Sequence, residues 1–140
     1  MASRRYEIYI DRDPDDVWNV VSDAERISEW FPLIEKSTVR AGKRRIELRG
    51  GGVVEEDIVT NDAALRRFQY RISGGDVPVE FHLGTIDVIP VRSGSLVIYG
   101  TDVLPDERAD VIGPATQEAL ANLPHYLANT DPEPQTTSKR

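Results

Sequence analysis

Between Val53 and Leu104 the sequence repeats the two-residue alternation of apolar and polar side chains that is typical of half-buried β-strands. No other feature of the chain restricts its fold as strongly. Short turns rich in Gly, Asp and Asn separate four such segments. The predicted strands are Val53–Thr60, Leu65–Ile72, Val79–Ile89 and Ser95–Leu104. Strands in this succession predict an antiparallel sheet, whose apolar face has to be covered by another element.

The residues that precede this stretch predict one strand, two short helices and a hairpin. Asp13 followed by Pro14 is a typical helix start, because the carboxylate can accept from free N–H groups and proline fits the first turn. In chain order the predicted elements are a strand over Arg4–Ile10, a helix from Asp13 to about Ser22-Asp23, a helix over Ala24–Trp30, and a hairpin of Lys36–Arg40 and Lys43–Arg49.

The last regular segment, Asp106–Asn129, carries apolar residues at three- and four-residue steps and predicts the helix that covers the sheet. Gly113-Pro114 predicts that the continuous helix starts only at Pro114, after a looser turn. Pro124 predicts a kink and an unpaired carbonyl near Leu120, because proline has no N–H to donate.

The predicted element order, β-α-α-β-β-β-β-β-β-α, indicates an α+β fold with seven antiparallel strands. Such a sheet twists and curves around the C-terminal helix, and space left between the two is where a ligand cavity is expected. Antiparallel succession places Gly50–Gly52 and Ser73–Val77 at the same edge, beside the turn after Leu104. These loops either form a mobile entrance to the cavity or are two ordinary hairpin turns.

Composition excludes several classes of function. A net charge of −7 disfavours binding to phosphate backbones, so no nucleic-acid partner is expected. No apolar run approaches the ~18 residues of a membrane span, and the start of the chain lacks the apolar core of a signal peptide. The chain has no Cys, which removes disulfides and thiolate metal ligands and is compatible with a cytoplasmic location. We expect no cofactor and no metal; the oligomeric state is not predicted.

The length of 140 residues suits one domain, predicted over residues 1–129. The polar segment 130–140 predicts a disordered tail.

Strand alternation predicts four polar side chains on the inner face of neighbouring strands: Glu56, Tyr70, His82 and Tyr99. Ile86 shares the inner face with His82. A carboxylate, an imidazole and two phenols around a cavity could bind the polar end of a ligand or perform acid–base chemistry. Alternatively, a bulge turns Glu56 to solvent, and His82, Tyr70 and Tyr99 are core residues whose polar atoms are hydrogen-bonded within the protein.

Several motifs, in their order and spacing, resemble the START-like (SRPBCC) superfamily, and most of all the small bacterial polyketide cyclase/dehydrase-type proteins. The motifs are Trp18…Trp30-Phe31-Pro32, Val54…Glu56…Asp62, Tyr70-Arg71-Ile72…Pro78-Val79, Gly84-Thr85 and Pro90. Plant abscisic-acid receptors look similar from Glu56 to His82, including the loop Gly74-Gly75-Asp76. The resemblance implies a helix-grip (START/Bet v 1-like) fold around a central cavity for hydrophobic or amphipathic molecules.

The comparison with the receptors also implies roles for individual residues. Glu56, Tyr70 and His82 would face the ligand, although His82 stands where the family often has Tyr. Lys36 would match a receptor lysine that pairs with a ligand carboxylate. The alternative for Lys36 is an exposed lysine that discourages edge-to-edge strand pairing.

The leading hypothesis is a protein that binds, for transport or sensing, a hydrophobic or aromatic small molecule such as a lipid or polyketide. Its predicted ligand-binding residues are Glu56, Tyr70, His82, Tyr99, Lys36 and Ile86. One alternative is a polyketide aromatase/cyclase-type enzyme that uses acid–base residues of the cavity, without an assigned catalytic residue. The other is a module that docks on a partner protein and keeps only a vestigial cavity.

Overall fold

The computed structural model describes residues 1–130, which form seven strands and three α-helices. The strands are β1 (Ala2–Ile10), β2 (Ile34–Arg40), β3 (Lys43–Leu48), β4 (Val53–Asp62), β5 (Arg67–Gly75), β6 (Phe81–Val91) and β7 (Gly94–Leu104). The helices are α1 (Pro14–Val21), α2 (Ile27–Trp30) and α3 (Ala109–Ala128). Single 3₁₀ turns at Ala24–Arg26 and Asp106–Arg108 lead into α2 and α3.

All seven strands belong to one antiparallel sheet in the order β1-β7-β6-β5-β4-β3-β2. The chain thus begins at one edge, crosses to the other through α1 and α2, and returns strand by strand until β7 pairs with β1. Helix α3 then lies across the inner face and packs on β1 and β7. The predicted fold class is confirmed: the protein has an α+β, helix-grip architecture with a curved seven-stranded sheet around a long C-terminal helix.

The first helix forms as its sequence predicts. The side chain of Asp13 accepts a hydrogen bond from the backbone N–H of Asp15 at 2.8 Å, and Pro14 occupies the first turn. Val17 and Trp18 are buried against the sheet, so the cap sets where the helix begins and the apolar stripe sets which face it buries.

The prediction that the last helix starts only at Pro114 is wrong. Helix α3 begins at Ala109 and runs through Gly113-Pro114 without a break. The reason is packing: a Cβ added to Gly113 would lie 2.9 Å from the Tyr6 hydroxyl and 3.2 Å from Cγ of Arg4. Gly113 therefore permits a close approach of α3 to β1. That burial outweighs the low helix propensity of the Gly-Pro pair. Pro124 also lies inside α3, and its kink stays a prediction.

Strand β5 continues to Gly75, beyond the predicted end at Ile72. Gly75 has a φ of +100°, and a Cβ there would lie 2.3 Å from the carbonyl oxygen of Val53. The ladder between β4 and β5 shifts register at this point, between Glu55 and Glu56. Only glycine fits such a position, so the Gly-Gly pair serves as a strand irregularity as well as a turn.

The loops predicted to share an edge do meet there. The carboxylate of Asp76 accepts from the N–H of Val53 at 2.8 Å, and the N–H of Asp76 donates to the Val53 carbonyl at 2.7 Å. The N–H of Glu80 donates to the carbonyl of Leu104 at 2.7 Å, which places the turn after β7 beside them.

The predicted tail 130–140 lies, from residue 131 onward, outside the described residues. Within residues 1–130 no helix has the length and apolar character needed to span a bilayer.

Candidate functional site

A cavity of about 100 Å³ lies between the inner face of β2 to β6, helix α2 and the first half of α3. Its walls are mainly apolar, and four polar side chains interrupt them. The apolar walls are formed by Ile27, Phe31, Ile34, Ile46, Leu48, Val54, Ile72, Val77, Ile112 and Ala115. The polar side chains are Glu56, Tyr70, His82 and Thr116. A mostly apolar hollow with a few converging polar groups is the usual form of a small-molecule site.

The cavity reaches solvent at an apolar mouth. Two of its lining side chains are exposed, Leu33 at 39% and Val111 at 61%. Leu33 precedes β2 and Val111 lies in the first turn of α3, so the two sides of the mouth belong to different elements. A hydrophobic molecule would pass these side chains first.

At the inner end, Glu56 of β4 pairs with Arg44 of β3. The two residues stand directly opposite each other in the ladder, and both side chains are almost completely buried. Nε and Nη2 of Arg44 each lie 2.8 Å from Oε1 of Glu56, but only the Nε–H points at that oxygen; Nη2 makes no hydrogen bond within the described residues. Oε2 of Glu56 makes none either among residues 1–130, so Glu56, which lines the cavity, keeps one oxygen that can accept a hydrogen bond.

Arg44 is held from three sides. Its Nη1 donates to the carbonyl of Ala24 at 2.9 Å, and its guanidinium carbon lies 5.0 Å from the ring centre of Tyr70 and 5.5 Å from that of Phe68. These cation–π contacts suit a desolvated guanidinium. Burial raises the pKa of Glu56, and the charge and hydrogen bond of Arg44 oppose that rise without cancelling it. Burial thus favours the neutral acid at Glu56, and Arg44 favours the ionised carboxylate.

His82 of β6 is a buried neutral imidazole. Its Nδ1 accepts the backbone N–H of Ile72 at 3.0 Å, so the ring proton is on Nε2. Burial lowers the pKa of His82 to about 4, against a weaker opposing effect of Asp102. At neutral pH the ring is an uncharged donor through Nε2–H, which makes no hydrogen bond to any residue in 1–130.

Tyr70 of β5 and Tyr99 of β7 join hydroxyl to hydroxyl in a short hydrogen bond beneath the cavity. Burial raises the pKa of both phenols well above the ordinary value, so both stay protonated. The ring of Tyr70 lies over Gly84, where an added Cβ would come within 2.4 Å of its Cζ. Gly84 therefore fixes where the Tyr70 ring can lie.

The structure brings three of the six predicted site residues to the cavity: Glu56, Tyr70 and His82. Tyr99 lies behind Tyr70, joined to it by the hydroxyl pair and by an edge-to-face ring contact, while Ile86 is buried in the core outside the cavity wall. Lys36 is exposed and lies outside the cavity. A bulge between Ile34 and Lys36 turns Lys36 outward, so the predicted pairing with a ligand carboxylate does not fit its position.

Two polar residues of the site were missed by sequence reasoning. Arg44 lies in a strand whose inner face the alternation did not resolve, yet it stands opposite Glu56, and a carboxylate on an inner face needs such a partner. Thr116 lies by its spacing on the apolar face of α3, and its side chain lines the cavity across from the sheet. Among residues 1–130, no three His, Asp or Glu side chains are grouped so that they could hold a metal ion.

The architecture and the cavity between the sheet and the C-terminal helix are those of a helix-grip protein of the START-like (SRPBCC) class. The model of the family described as "Polyketide cyclase / dehydrase and lipid transport" matches residues 1–126, and the chain belongs to that family. No curated protein sequence matches the chain significantly.

Solved structures with the same fold span almost the whole chain. The protein XoxI from Bacillus cereus is 22% identical with a TM-score of 0.84, covering 92% of this chain and 97% of its own. A START superfamily protein from Mycobacterium smegmatis is 16% identical with a TM-score of 0.77, covering 91% and 97%. Norcoclaurine synthase from Thalictrum flavum is 20% identical with a TM-score of 0.69, covering 91% and 84%. At these identities the likeness concerns the fold.

Proposed function

We propose that the protein binds a small hydrophobic or aromatic molecule in the cavity, in a carrier or sensing role, with the polar end of that molecule beside Glu56 and His82. The observation that carries this proposal is the cavity itself: apolar walls, an apolar mouth, and two buried side chains that each keep one hydrogen-bonding atom unpartnered at its inner end. The description of the family, which includes lipid transport, supports the same reading.

The volume limits the size of the occupant. About 100 Å³ is somewhat less than the roughly 150 Å³ of a cavity that holds benzene. Drug-sized ligands occupy pockets of about 300–1,000 Å³. A single small ring or a short alkyl chain is therefore the upper limit of what this conformation can hold. A long lipid would require Leu33 and Val111 at the mouth to move apart.

Affinity from burial alone would be modest. A ring of side-chain size buries about 150–250 Å², which at about 25 cal/mol per Å² yields roughly 4–6 kcal/mol. Lost translational and rotational freedom offsets much of this gain, so burial alone would give dissociation constants weaker than millimolar. Tighter binding has to come from the polar groups at the inner end.

Native mass spectrometry of freshly purified protein tests the proposal, because it shows whether an occupant is present and what it weighs. Ala115→Leu, on the cavity wall of α3, should abolish the occupant and weaken NMR-detected binding of monocyclic aromatic molecules. Ala121→Leu, on the exposed face of the same helix, is the matched control and should change neither. Equal binding by both variants would contradict the proposal.

A second candidate, a cyclase-type enzyme, is favoured by one specific observation. The cavity offers a carboxylate whose pKa is raised by burial and a neutral imidazole with a free Nε2–H, a combination suited to proton transfer. A poly-β-ketone chain needs far more than about 100 Å³, so this role requires the cavity to enlarge. Loss of turnover of such a substrate in a folded Glu56→Gln variant would support it, and unchanged turnover would exclude Glu56 as the acid or base.

A further inference from the structure

We propose that the cavity selects small uncharged molecules that carry a hydroxyl group, represented by phenol, over carboxylates and over hydrocarbons of the same size. This inference rests on the proposed binding function. It concerns what the inner end of the cavity recognises, which neither the fold nor the apolar walls determine.

The two unpartnered atoms converge on one residue of β5. Glu56 is the ladder partner of Ile72, and the backbone N–H of that same Ile72 is bound by Nδ1 of His82. Glu56 and His82 therefore flank Ile72 from either side, and all three residues line the cavity. A ligand group placed over Ile72 meets both.

These atoms have opposite hydrogen-bonding character. Oε2 of Glu56 accepts in the ionised form of the carboxyl group, which the guanidinium of Arg44 favours through its charge and its hydrogen bond to Oε1. Nε2–H of His82 can only donate, because the other nitrogen already accepts from Ile72. A hydroxyl is the one small group whose single oxygen donates to the first and accepts from the second.

A ligand carboxylate fits this end poorly. It would meet the negative charge of Glu56, and no Lys or Arg is among the residues that line the cavity within the described part of the chain. Arg44 lies behind Glu56, already bound to that carboxylate and to the Ala24 carbonyl. Lys36 is exposed outside the cavity. The charge of a ligand acid would thus be buried without a counter-ion.

A pure hydrocarbon also fits less well than a hydroxylated ring. It would cover Oε2 of Glu56 and Nε2–H of His82 and leave both without hydrogen-bond partners among mainly apolar walls. Sites built to hydrogen-bond a hydroxyl discriminate strongly against analogues that lack it, for this reason.

The test compares three probes of one ring size, phenol, toluene and benzoate, by NMR titration of the full chain at pH 7. We expect phenol to bind at least tenfold more tightly than either of the others. It should also shift the imidazole resonances of His82 while leaving those of His125, exposed on α3, unchanged. His82→Phe should remove the preference for phenol over toluene, whereas His125→Phe should preserve it.

The outcomes separate the hydroxyl preference from the binding function on which it rests. Toluene or benzoate binding as tightly as phenol, or phenol binding without a shift of the His82 signals, would overturn the hydroxyl preference and leave the binding function standing. Failure of all three probes to bind would contradict the binding function itself. Because the wild-type His82 signals carry the argument, the test holds even where His82→Phe does not fold.

Discussion

Arg44 and Glu56 face each other across β3 and β4 with 2.8 Å between Nε and Oε1, and their side chains are only 1% and 6% exposed. The pair is the deepest charged feature of the protein's described residues. It orients one oxygen of Glu56 toward the guanidinium and leaves the other for the cavity. The site is therefore organised before any ligand arrives, which lowers the ordering cost of binding.

Removal of Arg44 alone should be strongly destabilising. Arg44→Met would leave the Glu56 carboxylate buried without a partner, and such changes typically cost about 3–5 kcal/mol of unfolding free energy. Arg44→Met combined with Glu56→Leu should recover most of that loss, since both charges are gone. Urea denaturation at pH 7 measures the single, double and Glu56→Leu variants as a double-mutant cycle.

The adjacent pair on the same two strands supplies the control. Lys43 and Asp57 are also ladder partners, with Nζ 2.6 Å from Oδ1, but the Lys43 side chain is 71% exposed. Lys43→Met should change the unfolding free energy by less than about 1 kcal/mol. A cost for Arg44→Met as small as that of Lys43→Met would refute the argument that burial makes the first pair different.

His82 should make the protein less stable as the pH falls from 6.5 toward 4. In that window the unfolded chain binds a proton at this imidazole and the folded protein does not, because burial lowers the folded pKa from 6.5 to about 4. At about 1.4 kcal/mol per pKa unit, the loss by pH 4 is roughly 3 kcal/mol. Glu56, whose folded pKa is raised, changes stability in the opposite sense, since its contribution is lost as pH rises through that pKa.

The contribution of His82 is isolated by comparing variants across this pH range. His82→Gln should flatten the fall in unfolding free energy between pH 6.5 and 4, while His125→Gln, on the exposed face of α3, should leave it intact. Parallel curves for wild type and His82→Gln would show that the imidazole titrates normally in the folded protein.

Most of the fold follows from the sequence because strand alternation, a capped helix start and an apolar helical stripe are local signals. The inner-face positions of Glu56, Tyr70 and His82 follow from the same alternation. The site role of Lys36 rests on the receptor resemblance and not on alternation; a bulge turns Glu35 and Lys36 both outward, which agrees with the alternative of an exposed edge lysine. Helix propensity fails as a guide at Gly113-Pro114, where contact with a strand some hundred residues earlier in the chain overrides it.

Arg44 shows a different limit. A lone arginine in a strand predicts a solvent-facing position, since burial of an unpaired charge is costly. Its position becomes predictable only once the register pairs it with Glu56, and register is a property of two strands. The cavity volume is beyond sequence reasoning for the same reason, because it depends on how closely α3 approaches the sheet.

Gly84→Ala should destabilise the protein by about 1–3 kcal/mol, because the new Cβ would overlap the Tyr70 ring at 2.4 Å and force it toward the cavity. Gly100→Ala, on the neighbouring strand, is the matched control. Its Cβ would meet only the Arg4 carbonyl oxygen at 3.5 Å and Cγ of Arg5 at 4.0 Å. Thermal and urea unfolding should separate the two variants, and equal stabilities would show that Tyr70 is not confined by Gly84.

Asp76 should control how firmly the two glycine-rich loops are tied at their shared edge. Asp76→Ala removes the carboxylate that accepts from Val53 N–H at 2.8 Å, so we expect faster amide hydrogen exchange at Gly52 and Val53 and a loss of about 1 kcal/mol. Asp62→Ala removes a similar carboxylate, which accepts from two N–H groups in the turn at the other end of β4. That variant should leave hydrogen exchange at Gly52 unchanged.

Stopped-flow binding then shows whether these loops gate the cavity. If Asp76→Ala also speeds the entry of a ligand, the loops are the gate. If hydrogen exchange rises while the rate of ligand entry is unaffected, the loops are ordinary hairpin turns and the ligand enters between Leu33 and Val111.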